Sequence, residues 1–288
     1  MRTLQAIEEF IEWKELASVS EHTTRKYRSI LGQLAAVLPA QLSEITYQQL
    51  SDFLRGLDVA KKTRRDYIGA VKCFFEYCAR AGLRQGDPAL LLPLPRYKRK
   101  PPSFQRPEFL NRMIDLAGAP RLKRAQDKWY AVRNVAVLTF IIETGVRASE
   151  ACAVRRDDVF LDEYFATIKS GKGDSYRHVT FGERTVEALR AHWRLQVSGE
   201  YAFENMDGKR MSYGGVYGLV CRISERAGKR ITPHQLRHSY ASISVLKGVH
   251  ITHIAAQLGH ESIETSMIYC HVELDDRISA TRANSPLE

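Results

Sequence analysis

Cysteine is scarce, and the five present (Cys73, Cys78, Cys152, Cys221 and Cys270) are odd in number and share no Cys-x-x-Cys spacing. That argues against a disulfide framework and a structural zinc site, and for a reducing compartment. Long apolar runs are missing as well; none approaches the roughly 20 residues that a membrane-spanning helix needs. Residues 1–16 are charged and amphipathic, without the apolar centre of a secretory signal. A cytoplasmic protein with no membrane partner is expected. No Gly-x-x-x-x-Gly-Lys-Ser/Thr loop occurs, so a phosphate-loop nucleotide hydrolase is excluded. Internal repeats and low-complexity segments are absent too.

What is abundant is positive charge. The 288 residues carry a formal net charge of +10, with 44% hydrophobic residues to build real cores. The length suits two domains better than one, and the charge suits a polyanionic partner. Residues 1–90 read as four or five short-connected helices, marked by apolar stripes such as Leu4, Ile7, Phe10 and Ile11. The fourth helix opens at Lys61 with the densest basic cluster of the chain: Lys61, Lys62, Arg64 and Arg65. Cations at a helix amino terminus oppose its dipole, and an external phosphate would relieve that conflict. Residues 91–104 are rich in proline and carry Arg96, Lys98 and Arg99, as befits an extended basic linker. Residues 105–288 form a second, mostly helical pattern. Its apolar segment 127–144 ends at Gly145, and two β runs, 159–168 and 176–181, flank a turn with two glycines. The expected fold is mainly α: a helical amino-terminal domain, then a mixed α+β domain with a small sheet.

The chemistry gathers between residues 232 and 272. His234 and Arg237 are three residues apart on a helical pattern, where side chains are neighbours. A second apolar-periodic segment stops at Gly259, a helix-ending signal, and His260 follows directly. Tyr269 comes nine residues later. An arginine fork, two imidazoles and a phenol suit the handling of a phosphate: donors, a base and an oxygen nucleophile.

The order HQLRH…LGHESIETSMIY resembles the signature of the tyrosine recombinase (phage integrase) family, most closely its compact Xer-like members. The resemblance runs over nearly the whole chain. It implies a SAM-like, core-binding amino-terminal domain and a catalytic domain that close around double-stranded DNA. Two protomers would occupy each recombination site, and a tetramer two sites. It also implies a reaction without metal, ATP or other cofactor. Tyr269 would attack a DNA phosphate to give a 3′-phosphotyrosyl bond and a free 5′ hydroxyl. Arg147, just after the Gly145 break, would pair with Arg237 on the non-bridging oxygens. His234 would assist the tyrosine and His260 would hydrogen-bond the phosphate. Glu150 matches an acidic position that orients its neighbours. Lys172, in the Gly-Lys-Gly turn, matches the general acid for the departing oxygen; Lys169 competes for that role.

Three other readings compete. His234 and His238 have the i,i+4 spacing of zinc peptidases, but Gln235 stands where those enzymes need a glutamate. A DNA-binding module without catalysis would explain the basic helices, yet has no use for the whole set from Arg147 to Tyr269. A type IB topoisomerase shares the chemistry but matches the motifs less closely.

Overall fold

The structure, a computed structural model of the chain, describes residues 1–96, 104–119, 125–169, 176–196, 198–260, 262 and 264–267. The chain divides into two compact units, 1–99 and 100–288.

In the first unit, helices α1 (Thr3–Leu16), α2 (Glu21–Val37), α3 (Tyr47–Gly56) and α4 (Lys61–Arg80) surround one apolar core. Phe10 is its centre, with the rings of Tyr27, Phe74 and Tyr77 5.3–5.6 Å from its own. Such pairs are worth about 1 kcal/mol each beyond the burial of area. A reciprocal cap starts α3: the Thr46 N–H donates to Gln49 Oε1 at 2.8 Å and the Gln49 N–H returns to Thr46 Oγ1. Helix α4 has no such cap and no acid in its first turn. Lys72 of α4 donates to the carbonyls of Ala89, Leu90 and Leu92, and Arg65 donates to that of Pro95. The proline-rich stretch is thereby fastened to α4 as far as Pro95, and Leu92 enters the core.

The second unit is built on α6 (Ala125–Thr144), which packs against α5 (Pro107–Gly118), α8 (Glu183–Trp193) and α10 (Pro233–Leu246). Val137, Leu138, Phe140 and Ile141 of α6 are all fully buried. A helix apolar on most sides is stable only in such a surrounded position. The remaining described helices are α7 (Ala148–Ala153), α9 (Tyr213–Arg226), α11 (Ile251–Leu258) and α12 (Glu264–Met267).

The sheet differs from the expectation of two β runs. It has three antiparallel strands in the order β1 (Val159–Phe160), β2 (Phe165–Lys169), β3 (Tyr176–Thr180). The first run is broken because Tyr164 adopts φ of 60°, a left-handed turn that reverses the chain. Register runs from Phe160↔Phe165 through Phe165↔Thr180 to Lys169↔Tyr176, and Ala166, Ile168 and Val179 face the core.

Candidate active site

Four chain reversals place the site's side chains, and the first three have a local cause among the described residues. The first is Gly145, after the last turn of α6, with φ of 65°. A Cβ there would lie 2.7 Å from the Tyr240 ring and 2.8 Å from Leu258, so only glycine fits. Arg147 follows as the residue that caps α7. Glu150, three residues into that helix, reaches back to accept the Arg147 N–H at 2.7 Å and its guanidinium at 2.8 Å.

The second reversal starts α10. Pro233 occupies its first turn, and the Thr232 N–H donates to Gln235 Oε1 at 3.0 Å. His234 is exposed, while Arg237 is only 2% exposed. A buried guanidinium needs acceptors. Arg237 finds them at the ends of two helices, donating to the Gly145 carbonyl at 3.0 Å and the Leu258 carbonyl at 2.7 Å. Both carbonyls stand where helix dipoles are negative, which favours a cation.

The third reversal is the end of α11. Gly259 is left-handed, its N–H donates to the Ala256 carbonyl and the His260 N–H returns to that of Ala255. This double closure fixes the backbone of His260 directly after the helix. Its Nδ1 lies 2.6 Å from Ser266 Oγ, three residues before Tyr269 in the sequence. The fourth is the β2–β3 hairpin, bounded by Lys169 and Tyr176.

Strand β3 contributes a residue that the sequence did not single out. Arg177 donates through Nη1 and Nη2 to the two carboxylate oxygens of Glu150, at 3.0 and 2.7 Å, and through Nε to the Gln257 carbonyl at 2.9 Å. Burial alone would raise the Glu150 carboxyl, but the hydrogen bonds from Arg177 and Arg147 bring it below its ordinary pKa. Glu150 is therefore ionised and orients two arginines. His238, one turn along α10, has its ring centroid 4.2 Å from that of His234. No short-range spacing marks Arg177, whose partners lie 27 and 80 residues away.

The cluster is strongly cationic. His260 is pushed down to about 4, first by burial and then by the charges of Arg237, Arg147 and Arg177, with a smaller contribution from neighbouring His234. His238 is likewise brought to about 4 by burial, His234, Arg237 and His260. His260 is thus neutral at pH 7, a hydrogen-bonding group and not a charge. Lys169 donates to both carboxylate oxygens of Asp158, at 2.8 and 2.9 Å. Lys172 and Tyr269, and the linker residues Lys98 and Arg99, lie outside the described residues. In the first unit Lys61, Lys62, Arg65 and Arg96 are exposed. Arg64 is half-buried and donates to the Leu57 carbonyl at 2.6 Å, closing the α3–α4 connection. Among the described residues no three His, Cys, Asp or Glu side chains gather as a metal-ligand set, so the His234–His238 pair has no third ligand there.

The profile of the phage integrase family matches residues 114–275, and the chain belongs to that family. It is a Xer-like tyrosine recombinase, an enzyme of site-specific recombination that cleaves and rejoins DNA. The tyrosine recombinase XerC of Corynebacterium efficiens is 30% identical over 293 residues, covering 98% of this chain and 92% of its own. XerC of Neisseria gonorrhoeae is 30% identical over 275 residues, covering 89% and 87%. The crystal structure of XerA recombinase superposes with a TM-score of 0.56 at 26% identity, over 98% of this chain and 99% of that one. A XerH recombinase bound to a palindromic difH substrate, in its post-cleavage complex, shares the fold with a TM-score of 0.74 at 23% identity, over 95% and 82%.

Proposed function

We propose that Tyr269 is the nucleophile of this recombinase and that Arg147, Lys172, His234, Arg237 and His260 act on the same DNA phosphate. The observation that carries the reading is the buried Arg237 fork. It bonds the carbonyls of Gly145, two residues before Arg147, and of Leu258, two residues before His260, and so gathers Arg147, Arg237 and His260 at one place. A phenol has an ordinary pKa of about 10 and needs a base or a positive potential to attack at neutral pH. The arginine cluster supplies the potential and His234 a base. Attack forms the Tyr269 Oη–phosphorus bond and breaks the bond from phosphorus to the 5′ oxygen. The phenolic proton goes to His234, and Lys172 gives a proton to the departing oxygen. Two guanidiniums suit the charge that grows on the non-bridging oxygens in the transition state. Because the ester energy stays in the protein–DNA bond, religation needs neither ATP nor metal.

The partner in this reading is a duplex recombination site. The related XerH is bound to a difH substrate and the lambda integrase to a COC′ core site, as a dimer in one structure and as a tetramer on a Holliday junction in another. By the same chemistry a dimer of this chain would occupy each site, and a tetramer would form across two. Lys61, Lys62, Arg65, Arg96, Lys98 and Arg99 are the candidate phosphate ligands, whereas Arg64 is engaged by the Leu57 carbonyl. A cytoplasmic location fits the cysteine usage, and no helix of the described residues is long and apolar enough to cross a membrane.

The chemical polarity is testable on denatured reaction mixtures. Tryptic mapping should find the nucleotide on the peptide containing Tyr269, joined through a 3′ phosphate. The freed strand should accept label from polynucleotide kinase without any phosphatase treatment. A nucleotide on another residue, or a 5′-phosphorylated free strand, would overturn the assignment.

A further inference from the structure

We propose that Arg177 is a positioning residue for strand cleavage, locking the helix that presents Arg147 to the turn that presents His260. The inference rests on the reading of Arg147 and His260 as phosphate ligands. Its basis is the way one guanidinium distributes its donors. The Nη pair holds both oxygens of Glu150, which also accepts from the N–H and guanidinium of Arg147. Nε holds the Gln257 carbonyl, three residues before His260. That carbonyl and its neighbour at Leu258 belong to the last turn of α11, which lacks intrahelical donors; Arg177 takes one and Arg237 the other. Strand β3 is tied to α11 a second time, since the Gln257 side chain accepts the Thr180 N–H at 3.0 Å and donates to the Thr180 carbonyl at 2.8 Å.

Arg177 and Glu150 have side chains only 15% and 12% exposed, whereas that of Arg147 is 50% exposed. The carboxylate thus has an inner partner that fixes it and an outer partner that it aims. Gly259 is part of the same fit, because a Cβ there would lie 2.9 Å from Arg177 Cδ and Nη1. Lysine cannot substitute: one ammonium keeps the charge but cannot span a carboxylate and a carbonyl in the geometry of a planar fork.

Misplacement of a reacting group by about 1 Å costs on the order of 100-fold in rate. Arg177→Lys should therefore slow covalent adduct formation by about that factor, measured with the DNA fragment that the wild-type protein captures, with affinity for the uncleaved fragment within about three-fold. Glu150→Gln should slow it comparably. The double variant should be little slower than Arg177→Lys alone, because Arg177 and Glu150 form one link between the two elements. Arg177→Ala and melting temperatures run beside these, so that a folding defect is seen as such. A rate for Arg177→Lys within a few-fold of wild type, or fully multiplicative losses in the double variant, overturns the proposal. Arg147→Ala separates the two levels. If it cleaves normally, the phosphate reading itself is wrong; if it is inactive while Arg177→Lys cleaves normally, only the positioning role falls.

Discussion

Arg147 and Arg237 carry the same side chain into one site but stand in different surroundings, and this difference predicts different phenotypes. Arg147 is half-exposed and bonded mainly to Glu150. Arg147→Ala should lose about 3 kcal/mol of transition-state stabilisation, roughly 100-fold or more in cleavage rate, with little change in melting temperature. Arg237 is buried and holds the carbonyls that end α6 and α11. Arg237→Ala should lose cleavage and, in addition, stability, since each stranded carbonyl costs about 1–3 kcal/mol. Single-turnover cleavage and thermal melting of both variants check this; equal melting losses would contradict the assignment of Arg237 as a structural bridge. A second residue-scale outcome concerns protons. His192, His238 and His260 are each pushed from an ordinary 6.5 to about 4, burial being the largest cause. The unfolded chain takes up those protons near 6.5 and the folded chain does not, so stability is complete above pH 6.5 and drains as pH falls toward 4. Nuclear magnetic resonance should find His192, His238 and His260 still neutral at about pH 5.5, with the urea midpoint lower there than at about pH 7. Protonation of these three rings at that pH would contradict their burial as the cause.

Among the elements, the turns are more decisive than the helices they end. Gly145 and Gly259 both have positive φ, and both have a neighbour within 3 Å of where a Cβ would stand. Gly145→Ala should cost about 2–5 kcal/mol, from left-handed strain together with overpacking against Tyr240 and Leu258. Denaturant unfolding reads that loss directly, and a cost below about 1 kcal/mol would show that the ring of Tyr240 yields. These glycines were legible in the sequence as helix stops, because an apolar helical period ended at each. So were α10 and α11 and the order His234, Arg237, His260, which are local in the chain. Other features were not. The break between β1 and β2 falls at Tyr164, a residue with no turn preference, so the pattern looked like one strand. The burial of Arg237 was not legible either, because its acceptors are supplied by residues 92 and 21 positions away. Arg177 was invisible for the same reason. Long-range partners leave no spacing to find.

At the scale of the molecule, positive charge is divided between anchoring and exposure. Arg64 is half-buried and tied to the Leu57 carbonyl, and Arg65, though exposed, to that of Pro95, whereas the exposed Lys61 and Lys62 stand at an uncapped helix start. Lys61→Gln with Lys62→Gln should weaken binding to any duplex and lower the slope of log affinity against log salt by about 0.9 for each phosphate no longer neutralised. Arg64→Gln should instead lower the stability of the first unit. An unchanged salt slope in the lysine variant would remove this end of α4 from the DNA interface.

Covalent strand transfer through Tyr269 is the centre of the proposed mechanism, and one capture experiment tests it on a mixture of candidate target sites. The protein is mixed with fragmented genomic DNA from its source in EDTA, denatured in SDS, and the DNA left attached is sequenced. Tyr269→Phe is run in parallel. Attached DNA converging on one sequence with the wild-type protein, and none with the variant, is the predicted result. Equal adducts in the variant would contradict the mechanism, because another side chain would then be the nucleophile.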